Sequence, residues 1–180
     1  MQSRVWNEII EDARWAPSAY NAQPWRFKIE NASMTLIARP ERWRPVIDPK
    51  NRETLISIGA LIHSVRLTAS GRGYALREEW LIEHPFSDEI VRFHLEKSEA
   101  PRAEAEAAAL SAIRTWRREY RHEPIAADDL SRLESLGGGA LGVVVKGSAE
   151  AKELVDLAVE SAVAHANAKE IYSELSSYLD

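Results

Sequence analysis

Pro17 and Pro24 bracket a hydroxyl, a phenol and two amides, those of Ser18, Tyr20, Asn21 and Gln23. Two prolines restrict the backbone on either side of these groups. Short polar groups held that way can hydrogen-bond the edge of a flat heteroaromatic ring. The same residues also make a sound helix-to-strand turn, with Ser18 and Asn21 satisfying nearby backbone groups. The residues alone leave both readings open.

A second set lies between Ile113 and Arg121, where Arg114, Arg117, Arg118 and Arg121 fall within eight residues. Guanidinium groups grip phosphate through two parallel N–H donors. A solvated basic face paired with Glu119 and Glu123 accounts for the run equally simply. A nucleic-acid patch is the weakest reading, because the chain carries a net charge of -5 and shows no nucleic-acid-binding motif.

Several chemistries are excluded. Cysteine is absent, which removes disulfides, thiolate metal sites and thiol nucleophiles. His63, His84, His94, His122 and His165 are scattered without metal-ligand spacing, so no metal site is expected. Ser18, Ser57 and Ser64 lack a nucleophile elbow, and no acid, base or nucleophile stands out as a catalytic side chain. Neither a Gly-x-Gly-x-x-Gly nor a P-loop occurs. Gly137–Gly139 follows a helix and precedes a strand, the wrong order for a dinucleotide loop.

The elements that must position these groups are legible from periodicity. Val5, Trp6, Ile9, Ile10 and Ala13 recur at helical spacing, predicting a helix over 4–15 that stops before Pro17. Alternation of Trp25, Phe27 and Ile29, then Met34, Leu36 and Ala38, predicts a hairpin turning at Glu30-Asn31. Residues 39–50 read as irregular, with three prolines and Arg39, Arg42 and Arg44. A long helix is expected over 52–70 on the stripe Leu55, Ile58, Leu61, Ile62, Val65 and Ala69, with Gly59 and Ala60 allowing a close neighbour. Strands are expected near 75–82 and 89–96.

The Ala- and Glu-rich stretch 98–108, with Pro101 near its start, reads as a helix leading to Trp116, with a flexible linker as the alternative. It marks a boundary between two halves, 1–97 and 98–180. Beyond it, helices are expected over 126–136, 149–168 and 169–179, with a buried-type strand at Leu141–Val145. With 45% hydrophobic and 28% charged residues the composition is that of an ordinary globular protein. The charged N-terminus is no secretory signal, and no stretch approaches the roughly 20 apolar residues that span a bilayer. A cytoplasmic protein that binds neither membrane nor nucleic acid is expected.

The first loop resembles a family signature. Ala16, Pro17, Ser18, Asn21, Gln23, Pro24, Trp25 and Phe27 fill every fixed position of the Ala-Pro-Ser-x-x-Asn-x-Gln-Pro-Trp-x-Phe run that follows the first helix of nitroreductases. Asp48-Pro49-x-x-Arg52-Glu53, followed by Ile56-Ser57-x-Gly59-Ala60, is similar to the start of the long helix in the tandem, Acg-like branch, where two nitroreductase-like domains are fused. Arg114 and Arg118 match the basic positions of an Arg-x-Ser-x-(Arg/Lys)-x-Phe run and Tyr120 its aromatic one, while Trp116 stands in place of the serine.

The resemblance implies an α+β fold, with a mainly antiparallel central sheet flanked by helices in a nitroreductase-like α/β/α arrangement. It implies bound FMN, contacted by Pro17, Ser18, Asn21 and Gln23 on one side and by Arg114, Trp116 and Arg118 on the other. In the family's dimers those two sides come from different subunits, so a tandem chain or a homodimer is implied. The activity implied is that of an oxidoreductase in which NAD(P)H reduces a nitro compound or quinone through the flavin. A non-catalytic FMN-binding or sequestering protein is the alternative, favoured by Trp116. Family members continue past the segment matched by 149–179, so the C-terminal part of the second half is expected to be lacking. Arg114→Ala is expected to raise the FMN dissociation constant about tenfold or more, the scale of one charged hydrogen bond. An unchanged constant in a fluorescence titration removes Arg114 from the site.

Overall fold

The computed structural model describes residues 2–100, 102–140 and 142–177. Met1, Pro101, Leu141 and residues 178–180 lie outside them, and with them the end of the helix expected over 169–179. The chain divides into two compact units, residues 1–115 and 116–180.

In the first unit, helix α1 spans Gln2–Ala13. Trp6, Ile9 and Ala13 share one helical face and are fully buried. The Trp6 indole N–H also donates to Ala32 O at 3.2 Å, tying the helix to the turn of the following hairpin. That hairpin pairs β1 (Trp25–Glu30) with β2 (Ser33–Ala38), Glu30 facing Ser33. Asn31 takes the left-handed conformation that the tight turn needs and that Asn tolerates. Helix α2 (Arg52–Gly71) separates the hairpin from β3 (Tyr74–Trp80) and β4 (Glu89–Lys97). All pairings are antiparallel, in the order β1-β2-β4-β3, with a register shift at Leu36/Ile37.

Side chains alternate across a strand. Trp25, Met34, Leu36, Ala38, Val91 and Phe93 therefore lie on one face, and they join the α2 stripe Ile58, Leu61, Ile62, Val65 and Ala69 in one core. The opposite face carries charge, with Arg92 Nη1 3.0 Å from Glu79 and Arg77 3.4 Å from Glu96. The α+β expectation holds, as do the hairpin and the long helix.

The helix expected over 98–108 is shorter. Helix α3 covers Glu104–Ala109 and continues as a single 3₁₀ turn, Leu110–Ala112. It lies against the end of α2, where Ala103 N–H donates to Ser70 Oγ at 3.3 Å. Gly71 permits that approach, because a Cβ there would stand 3.0 Å from Ala107 Cβ and 3.4 Å from Ala103 O. Leu110 is buried in this contact region, so 102–112 belongs to the first unit.

The second unit holds α4 (Ala127–Leu136), α5 (Ala149–Asn167) and α6 (Lys169–Ser176). Ser148 Oγ caps α5 by accepting from Ala151 N–H at 3.1 Å. Of the strand expected at 141–145, Leu141 lies outside the described residues; 142–145 has no regular structure, and Val145 is exposed. A strand needs a neighbouring ladder, and the second unit's described residues contain none. Leu154, Val155, Leu157, Val159 and Val163 of α5 are likewise exposed. Among the described residues no helix is long and apolar enough to cross a membrane.

Leu61→Ala should lower the unfolding free energy of the chain by about 2–5 kcal/mol in urea titrations, through lost burial and the cavity left behind. Leu157→Ala, on the exposed α5 surface, should change it by no more than about 0.5 kcal/mol.

Candidate functional site

The proline-bounded loop folds into a strained but heavily held shape. After α1, Ser18 is extended, and Ala19–Asn21 makes a 3₁₀ turn in which Tyr20 has φ 54°. Asn21 at 56° and Gln23 at 47° are also left-handed. Asn tolerates this region, whereas Tyr and Gln each give up about 1–2 kcal/mol there.

Hydrogen bonds from three directions offset that cost. Within the loop, Ser18 Oγ accepts from Gln23 N–H at 3.1 Å. From α2, Ser57 Oγ accepts from Ala19 N–H at 3.0 Å and donates to Glu53 O at 2.8 Å. From the irregular segment before α2, Arg44 Nη1 donates to Ala19 O at 3.2 Å, and its guanidinium sits 4.9 Å from the centre of the Tyr20 ring. Ala19 is thus bonded through its N–H to one element and through its C=O to another.

Arg44 is itself placed by the same segment. It is only 4% exposed, and its carbonyl accepts from Asp48 N–H at 2.7 Å. The buried Asp48 carboxylate turns to the start of α2 and accepts from Thr54 N–H at 2.9 Å, satisfying one of the helix's unpaired first-turn donors. Asn51, buried and left-handed at φ 52°, donates its amide to Pro85 O at 3.1 Å. Arg44, Asp48, Asn51, Thr54 and Ser57 are all buried polar residues gathered around the beginning of α2.

The loop and α2 line an open hollow of about 270 Å³, bounded by Pro17, Ser18, Ala19, Glu53, Ile56, Ser57 and Ala60. A neighbouring hollow of about 490 Å³ shares Glu53 and Ile56 and reaches Lys50 and Arg52. Apolar walls with a serine hydroxyl suit a flat ring; this first cavity is large enough for part of a flavin. A hydroxyl has one donor and two acceptor positions, and the contact with Gln23 uses one acceptor of Ser18. The Tyr20 phenol pKa is raised above its ordinary value, first by partial burial and then by the Glu53 carboxylate, against the opposing pull of Arg44.

The expected site residues are thus distributed in a definite way. Pro17 and Ser18 face the cavity. Asn21 and Gln23 contact each other, the Gln23 amide donating to Asn21 Oδ1 at 3.4 Å, and neither lines it. Arg114 is exposed in the first unit and donates to the carbonyls of Ser111 and Ile113 at 2.8 and 2.7 Å. Trp116 and Arg118 are exposed in the second unit, where the Trp116 indole N–H donates to Glu119 O at 3.2 Å. Trp116, Tyr120 and Ile125 line a broad hollow of that unit. Sequence reasoning did not assign Arg44, Asp48 or Ser57 their roles around the loop. Arg39, Arg42 and Arg44 read as one cluster, and nothing in their spacing reveals that Arg44 is the buried one.

Residues 3–34, which cover all but the first residue of α1, the loop and the first hairpin strand, match the family model described as Nitroreductase family. Two Mycobacterium tuberculosis proteins, one from each of two strains and both provisionally named NAD(P)H nitroreductase, are 26% identical to this chain over 167 residues. The matched region is 89% of this chain and 47% of each relative. The chain therefore spans about half the length of the curated relatives it matches.

Asp48→Ala should cost about 1–2 kcal/mol of unfolding free energy by leaving the Thr54 N–H without its carboxylate. Thermal unfolding of the two proteins measures this; an unchanged midpoint would show that the bond contributes nothing.

Proposed function

We propose that this chain is part of an FMN-dependent oxidoreductase of nitroreductase type, in which NAD(P)H reduces a nitro compound or quinone. The observation that carries this reading is the loop. The residues matching the family signature lie inside the segment matched by the family model, and Pro17 and Ser18 are presented on a cavity wall by a backbone held from both sides. Bound FMN would supply the redox chemistry, accepting hydride from NAD(P)H and passing electrons to the acceptor.

The protein's part is position and charge. Pro17, Ala19, Ile56 and Ala60 would keep water from one ring face, and the Ser18 hydroxyl would bond its edge. Arg114 would grip phosphate and Arg118 would stabilise negative charge on the pyrimidine side. Asn21 and Gln23 would complete the loop's polar contacts, and Trp116 would occupy the place of a serine. Such a site needs no acid or base side chain. In the tandem, Acg-like reading, 1–97 and 98–180 correspond to the first half and the start of the second. Ile56, 73% exposed, and the open space beside Gly59 support association along α2, as in a homodimer. A cytoplasmic location goes with this reading.

Trp116 favours a second reading, a protein that binds FMN without turning over, because its indole N–H is already engaged by Glu119 O. One experiment separates the two. Protein reconstituted with FMN should show visible flavin absorbance that bleaches when NADPH or NADH is added without oxygen. Retained but unbleached flavin supports the binder, and failure to retain any flavin overturns both.

A further inference from the structure

We infer that Arg44 is the positioning residue of the loop: it holds the turn Ala19–Gln23, with its left-handed Tyr20, Asn21 and Gln23, in shape and thereby sets the wall that faces the ligand. The ligand part of this inference rests on the flavin reading above; the loop part does not.

The geometry makes Arg44 suited to the task. Its guanidinium is planar, with several N–H donors fixed in one fork. One of them reaches Ala19 O at 3.2 Å while the guanidinium carbon sits over the Tyr20 ring, 4.9 Å from its centre. One side chain therefore restrains both the carbonyl that precedes the left-handed turn and the bulky residue that pays most to adopt it. Ser57 holds the other end of the same residue through Ala19 N–H. Ser57 also lines the cavity and is rooted in α2 through Glu53 O. Pro17 and Ser18, directly before Ala19, are the loop residues on the cavity wall. A shift of the Ala19 backbone would carry them with it.

Neither a lysine nor an apolar chain reproduces this pairing. Lysine keeps charge and a donor but has no flat face to lay on Tyr20. Methionine fills similar space without donating.

Amide hydrogen exchange and FMN fluorescence titration, both on the full chain, test the inference with Arg44→Met, Arg44→Lys and Ser57→Ala. In flavin-free protein, Arg44→Met should speed exchange of the Ala19 and Gln23 amides about tenfold or more, with sheet amides such as Phe93 and Met34 unchanged. FMN affinity should fall about tenfold, and Arg44→Lys should recover part of both effects. Arg44→Lys keeps the test decisive if Arg44→Met does not fold; Ser57→Ala, which removes the acceptor of the Ala19 amide, should speed that amide in any case and marks the rate of the unheld loop. Unchanged loop exchange overturns the inference. So does equal acceleration in the sheet, which would make Arg44 a general stabiliser. Faster loop exchange with unchanged FMN affinity also overturns it, because the loop's shape would not matter to the ligand. If the unaltered protein takes up no FMN, the flavin reading falls, and the exchange result alone upholds or overturns the role of Arg44 in the loop.

Discussion

The Ala19 backbone, bonded through its N–H by α2 and through its C=O by Arg44, is the constraint on which the candidate site depends. A loop with left-handed Tyr20, Asn21 and Gln23 does not keep that shape on backbone preference alone. It keeps it because two separate elements, α2 and the segment 39–51, present buried polar groups at fixed positions. Those elements are in turn joined through Asp48, which links the Arg44 carbonyl to the Thr54 amide at the start of α2. The ring of bonds closes around the loop. Its polar members are buried and paired, the condition under which polar groups rigidify a structure rather than weaken it.

The core below serves this arrangement. Sheet residues such as Leu36, Val91 and Phe93 pack on the α2 stripe and hold the helix in one register. That register places Ser57 at the loop and Ile56 on the outer side of the cavity. The second unit is built differently. Its described residues include none that is buried, and its helices carry exposed leucines and valines. The first unit thus has its own core, while the second presents apolar surface that its own described residues do not cover.

Chemistry that relies on a bound cofactor asks little of individual side chains beyond placement. The proposed flavin reading therefore needs neither a triad nor a metal cluster. In that reading the loop wall and the arginines would take their place. The weight of that reading rests on the loop, where the family match, the signature residues and the cavity coincide.

By itself the sequence determined the hairpin and the long helix of the first unit. Strict alternation in 25–38 and a 3.6-residue stripe in 52–70 are local patterns, and local patterns survive any change of tertiary partner. Its resemblance to the nitroreductase signature also marked Pro17, Ser18, Asn21 and Gln23 as candidates for a ligand, of which Pro17 and Ser18 line the hollow and Asn21 and Gln23 do not. What remained beyond reach was relational. Residues 142–145 of the expected strand found no ladder to join among the described residues, and the helix expected over 98–108 shortened to a piece fitted against Gly71. Arg44 could not be told from Arg39 and Arg42, since burial of one guanidinium is decided by which carbonyl and which ring the fold brings to it. Periodicity records which face of an element is apolar; only packing in three dimensions decides which polar group meets which.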